Sequence, residues 1–176
     1  IKFKKTILND CYVISNQFSN DKRGKFVKNF HFQYFSSIKK LYFKEQFHTL
    51  SKKNVIRGIH FQKPPHDHHK LVTCLKGKIL DVVIDLRKRS STFKKVFSIE
   101  LSDKNNLSIL IPRGFGHGFL SKTNSIVYYN TTTEHNSSHD SGVLWSSINF
   151  IWPTTKPIVS HRDRKFESID NFDNPF

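Results

Sequence analysis

Residues 55–71, VIRGIHFQKPPHDHHKL, open as a strand and close in a histidine-rich turn followed by a lysine. Two-residue alternation sends alternate side chains to one face, so this stretch aims Arg57, His60 and Gln62 toward a common side. Arg57 and His60 are three residues apart and therefore out of phase. The glycine between them, Gly58, predicts a bulge or kink that re-aims one of the two. A cation, a histidine and a second cation, Lys70, flanked by apolar strands suit an anionic substrate undergoing proton transfer.

Strand signals continue on both sides of this stretch. Leu71–Leu75, the turn Lys76-Gly77-Lys78 and Ile79–Leu86 predict a hairpin. Val96–Leu101, Leu107–Ile111, Phe115–Leu120 and Ser125–Thr132 are further strands, with Pro112-Arg113-Gly114 a corner. Upstream, residues 1–19 predict one or two short strands around Cys11-Tyr12-Val13-Ile14. Asn20 to Gly24 is a turn, and His31 to Leu41 holds the one predicted helix. After Trp145 the chain reads as loop, because Trp152-Pro153 and Lys156-Pro157 interrupt a ladder. Short strands at regular spacing, punctuated by Gly and Pro, predict an all-β sandwich or small barrel with a minor helix. No linker or repeat divides the sequence, which predicts one domain over residues 1–176.

The chain has 29 Lys and Arg against 14 Asp and Glu, a formal charge of +15. Such a surplus fits a polyanion partner or a smaller phosphorylated ligand. The basic runs are only pairs, and no zinc-finger, RRM or basic-helix pattern is present, so nucleic acid is not the expected partner. No stretch approaches the about eighteen apolar residues of a membrane span, and the opening IKFKKTILND lacks a signal-peptide core. The expected location is the cytoplasm, away from the membrane. The two cysteines, Cys11 and Cys74, form no CxxC and are expected as free thiols in a reducing compartment. The lack of any methionine suggests numbering that starts after a trimmed or modified residue.

Two chemistries compete for the histidines. His66 and His68 with the distant His117 follow the ligand order of metal-binding jelly rolls. A carboxylate usually follows such a pair, however, and here the interval holds Lys70, Leu71, Val72 and Thr73. A lysine there repels a cation, so an exposed histidine-rich turn after Pro64-Pro65 is expected rather than a metal site. The other chemistry is acid–base: His60 as base, Tyr129 as acid on the other face of a substrate, and Lys70 on a developing oxyanion. Each also has a plain structural reading, as a core histidine, a strand aromatic and a solvated lysine.

Several separate motifs resemble the dTDP-4-dehydrorhamnose 3,5-epimerase family. They are ArgGlyIleHisPheGln at 57–62, LysLeuVal at 70–72, IleAspLeuArg at 84–87 with SerThrPhe at 91–93, and IleProArgGlyPheGlyHisGlyPhe at 111–119. Trp152-Pro153 and Ser160-His161-Arg162-Asp163 complete the set, in order from Phe18 to about Lys165. The resemblance implies a cupin-type jelly roll, a homodimer, no metal or other cofactor, and a nucleoside-diphosphate 4-keto sugar as substrate. It implies His60 as the base with Asp163 as its carboxylate partner, Tyr129 as the opposite-face acid, and Lys70 on the enolate oxygen. It places Arg23 and Arg57 on the diphosphate, Phe26 against the base, and Gln62 and His117 beside the substrate.

The sequence also departs from the family pattern. Lys28 stands where an acidic residue is usual, and Asn130 where a lysine often follows the tyrosine. Phe43-Lys44-Glu45-Gln46-Phe47 replaces a Phe-x-Gln-x-Asn run. These positions lie where the resemblance places the nucleotide base and sugar. LeuValThrCys at 71–74 with the Tyr128-Tyr129 pair resembles members acting on GDP-linked 4-keto heptoses for capsule or lipopolysaccharide. The expected reaction is epimerisation at C3, C5 or both of a GDP-linked heptose or a dTDP-linked hexose. The alternatives are a C3-only epimerase, a 3,4-ketoisomerase (opposed by the terminal SerHisArgAsp), a metal-dependent cupin enzyme and a sugar- or nucleic-acid-binding module.

Overall fold

The computed structural model describes residues 1–176. Fourteen strands and two very short helices follow one another along the chain. They are β1 Lys2–Lys5, β2 Tyr12–Ser15, β3 Gln17–Asp21, β4 Gly24–Lys28, α1 Phe32–Ser36, β5 Glu45–Ser51, β6 Val55–Gln62 and β7 Lys70–Lys76. Then come β8 Lys78–Asp85, β9 Val96–Ser102, β10 Leu107–Ile111, β11 Phe115–Ser121, β12 Ser125–Thr131, β13 Asp140–Gly142, β14 Ile158–Val159 and α2 His161–Arg164. One sheet runs β1-β2-β10-β7-β12-β5 and the other β13-β6-β11-β8-β9, with β14 added in parallel to β6 and β3-β4 a separate ribbon. This is the expected cupin-type jelly-roll sandwich.

Three apolar clusters hold it together. Between the sheets lie Val72, Ile79, Val83, Leu101, Ile109, Phe115, Phe119 and Val127. The far side of the second sheet is covered by the C-terminal segment through Trp152 and Ile169, packed on Ile56, Ile59 and Ile84. The far side of the first is covered by Phe35 and Leu41, packed on Ile14, Leu71 and Leu110. Coverage on both faces is why β7, β8 and β11 carry runs of consecutive buried residues rather than clean alternations.

Three expectations are corrected here. Residues 71–86 are not a hairpin: β7 pairs with β10 and β12, while β8 pairs with β11 and β9. The Gly77 turn arches between the sheets, and each strand gains two neighbours in its own sheet that a hairpin would not supply. The helix expected over His31–Leu41 is one turn, Phe32–Ser36, without a side-chain cap. Its Phe and Tyr residues are weak helix formers, and the chain leaves the helix to bury Leu41. The tail after Trp145 is not all loop, because β14 and α2 form beyond Pro157.

The irregularity expected at Gly58 is present. Across β11, His117 opposes His60 but Phe119 opposes Arg57, so β6 carries one residue more than its partner. Gly58 sits at φ 122°, and a Cβ there would lie 2.5 Å from Gly118 Cα. Only glycine meets both conditions. The bulge puts Arg57 and His60 on the same side of the sheet despite their odd spacing.

Candidate active site

The side that the bulge selects is a cleft of about 240 Å³ lined by strands of both sheets. β6 contributes Arg57, His60 and Gln62, and the adjacent β11 contributes His117 and Phe119. The other sheet contributes Lys70 from β7, Tyr129 from β12, and Phe47 and Thr49 from β5. Asp140 of β13 and Arg162 of α2 close the rim. His60 and Tyr129 therefore stand on different sheets and line one space.

His60 Nε2–H donates to Asp163 Oδ1 at 2.8 Å. The other carboxylate oxygen accepts the Gly58 N–H at 3.1 Å, so the glycine that shifts the strand also holds the carboxylate. Ser160 caps α2 by accepting the Asp163 N–H at 3.0 Å, which fixes the backbone carrying that carboxylate. Burial alone would raise the Asp163 carboxyl. The bonds and charge of His60 and the Gly58 N–H outweigh burial and hold it below the usual carboxylate range. An ionised Asp163 keeps the His60 proton on Nε2 and leaves the Nδ1 lone pair free to accept another.

A second pair lies deeper: His117 Nε2 is 2.8 Å from Asp81 Oδ2, and both side chains are buried. Burial lowers the His117 basicity, with Asp81 opposing. Burial likewise pulls the Lys70 ammonium down to about 8, with Asp140 and Asp81 opposing. Burial raises the Tyr129 phenol above its ordinary value, and the ring lies flat against Phe47 at 4.7 Å and edge-on to His117 at 6.1 Å.

Of the residues anticipated from sequence, His60, Asp163, Tyr129, Lys70, Arg57, Gln62 and His117 are brought together here. Arg57 is tethered by Nε–H to Ser51 Oγ at 3.0 Å and by Nη2–H to the Leu50 carbonyl at 3.2 Å. Gln62 lines the cleft, but its amide is taken up by two loops. Its Nε2 donates to the His66 and Glu134 carbonyls at 2.9 and 3.2 Å, and its Oε1 accepts the Asn136 N–H at 2.6 Å. These bonds tie β6 to the loops of the cleft rim. Arg23 and Phe26 do not line the cleft. They ride on the β3–β4 ribbon, 84% exposed at the Arg23 side chain and 60% at Phe26, with Arg23 paired to Asp21 at 2.7 Å. Asn130, whose identity departs from the family pattern, is buried outside the cleft lining.

The histidines weighed as metal ligands do not converge. His66 packs on His139 at 4.4 Å, His68 Nδ1 lies 3.2 Å from Thr133 Oγ1, and His117 is held by Asp81. No group of three or more His, Cys, Asp or Glu is placed to hold a metal ion. No helix is long and apolar enough to cross a membrane.

Thr49, His135, Asp140 and Arg162 also line the cleft without having been singled out from sequence, while His68 was weighed only as a metal ligand and Phe47 only as part of a stretch that departs from the family pattern. Arg162 adjoins Asp163, and Arg162 Nη2 meets Asp140 Oδ2 at 2.7 Å while its guanidinium lies over the Phe166 ring. Its one signal was membership of the SerHisArgAsp motif. His135 and Asp140 belong to a region with no periodicity that could place them.

Comparison with known proteins points the same way. The family model described as dTDP-4-dehydrorhamnose 3,5-epimerase matches residues 5–171. A dTDP-4-dehydrorhamnose 3,5-epimerase of Shigella flexneri is 35% identical over 176 residues, covering 96% of this chain and 97% of that one. A crystal structure of the Bacillus anthracis dTDP-4-dehydrorhamnose 3,5-epimerase, with TDP and PPi bound, superposes with a TM-score of 0.91 at 34% identity, covering 95% of this chain and 98% of that one. A Legionella pneumophila dTDP-6-deoxy-D-glucose-3,5-epimerase in complex with dTDP-4-keto-L-rhamnose gives 0.93 at 25% identity, covering 98% and 94%.

Proposed function

The chain belongs to the dTDP-4-dehydrorhamnose 3,5-epimerase family, and we propose that it inverts C3 and C5 of a dTDP-linked 4-keto-6-deoxyhexose for surface polysaccharide synthesis. The observation that carries this reading is the His60–Asp163 pair on one wall of a cleft whose other wall holds Tyr129 and Lys70. The relatives act on dTDP sugars by name, which favours this nucleotide over a GDP-linked heptose.

A C4 ketone acidifies the hydrogens on C3 and C5, because the resulting carbanion delocalises into an enolate. His60 Nδ1 takes such a proton, and the ionised Asp163 stabilises the imidazolium that forms. Lys70 balances the charge growing on the C4 oxygen from a site largely shielded from water, where one such donor is worth about a hundredfold or more. The Tyr129 phenol then donates its proton to the carbon from the opposite face. The imidazolium returns its proton to solvent, the phenolate takes one back, and the cycle repeats at the second carbon. Arg57 and Arg162 supply cations at the rim for the diphosphate, whose oxygens match guanidinium forks.

Arg23 and Phe26 enter through a homodimer in which the exposed β3–β4 ribbon of one protomer reaches the cleft of its partner. Their exposure, with Phe18 also bare on the ribbon, supports this placement. The protein is proposed to work in the cytoplasm as one domain. Incubation with dTDP-4-keto-6-deoxyglucose and with a GDP-linked 4-keto heptose, read by product NMR, tests the reading. Inversion at both carbons of the dTDP sugar is expected, whereas turnover of the GDP heptose alone would replace the substrate named here.

A further inference from the structure

Phe47 and Tyr129 are directly opposed residues of β5 and β12, with ring centroids 4.7 Å apart and planes within 15°. β5 is the edge strand of its sheet, so no further strand lies beyond Phe47 on that flank. Phe47 is 40% exposed and lines the cleft, while Tyr129 is only 5% exposed. His117 touches the phenol ring edge-on from the other sheet at 6.1 Å. Neither this stacked partner nor its position has an evident part in proton transfer.

We propose that Phe47 is a positioning residue: its ring clamps Tyr129 so that one phenol delivers protons to both carbons before the enolate collapses back. This rests on the reading of Tyr129 as the opposite-face acid. C3 and C5 flank the ketone carbon, and a single acid must lie within proton-transfer reach of each in turn. The enolate has two fates. Protonation by Tyr129 inverts the centre, and return of a proton from the His60 imidazolium restores it after exchange with solvent. A phenol free to swing spends less time in reach, so the second fate gains.

The experiment is turnover of the dTDP-4-keto-6-deoxy sugar in D₂O, with deuterium incorporation and inversion counted at each carbon for Phe47→Leu, Phe47→Tyr and Tyr129→Phe. In Phe47→Leu the ratio of exchange to inversion should rise about two- to tenfold, the range expected from loss of one aromatic pair. Exchange itself should stay near the wild-type rate, and Phe47→Tyr should restore the ratio. A wild-type ratio in Phe47→Leu, or equal loss of exchange and inversion, would overturn the proposal. Tyr129→Phe separates the two claims. If it still inverts both carbons, the acid assignment has failed. If it exchanges without inverting while Phe47→Leu stays normal, only the clamp has failed.

Discussion

His60 and Asp163 lie 103 residues apart in sequence and 2.8 Å apart in space, joined by a hydrogen bond whose carboxylate is also held by the Gly58 N–H. A strand bulge and a one-turn helix thus converge on one imidazole. Replacing Asp163 by Asn keeps the shape, removes the charge and permits the wrong tautomer. The expected loss in kcat is about 10²–10⁴-fold, with KM little changed, measured by steady-state turnover.

The same carboxylate sets a pH dependence of stability. Its native pKa lies below the unfolded value, so its contribution is fully present above the ordinary carboxylate range. It is lost as pH falls from about 3.9 through the lower native value. Denaturant melts at pH 6 and pH 3 should therefore show a larger acid loss for the wild type than for Asp163→Asn.

Lys70 gives a slope of the same sign in an alkaline window. Its native pKa is about 8, against an ordinary value of about 10.4. Between these values the unfolded chain holds more protons than the native one, so stability rises with pH there. Activity should run the other way, with kcat/KM falling as pH passes about 8 because the cation beside the enolate oxygen is discharged. Lys70→Met should lose about a hundredfold or more in kcat/KM and abolish that alkaline limb.

Gly58→Ala should be costly in two ways. The added Cβ meets Gly118 Cα at 2.5 Å, and the φ of 122° excludes an L side chain. The expected loss of stability is more than about 1 kcal/mol, with activity falling further than stability because Arg57, His60 and Asp163 share that backbone. Chemical denaturation and turnover on the same sample check both parts.

Cys11 and Cys74 are both buried, and burial pushes each thiol up to about 12. Neither should react with a thiol reagent at pH 8 in the native protein, and both should react after unfolding.

Much of this was legible in residues 55–71. The out-of-phase spacing of Arg57 and His60 around Gly58 announced the bulge, and strand periodicity gave the sandwich. The β7–β8 connection was misread because a tight Gly turn looks the same whether it folds a hairpin or bridges two sheets. Only the choice of neighbours, a long-range matter, distinguishes them. Asp163 was found through resemblance and not through pattern, since one carboxylate in a short helix has no periodicity to betray it. Phe47 lay in a stretch marked as unusual, but its stack on Tyr129 depends on the β5–β12 register, which no local signal fixes. Gln62 lines the cleft as expected, but its hydrogen bonds to the rim were not legible, because those partners come from loops of irregular sequence.

The most direct test of the central claim compares wild type and His60→Asn on a dTDP-linked 4-keto-6-deoxyhexose in D₂O by mass spectrometry. The wild type should gain two solvent deuterons and His60→Asn essentially none, with both proteins folded by circular dichroism. Undiminished incorporation in His60→Asn, or none in the wild type, would contradict the account.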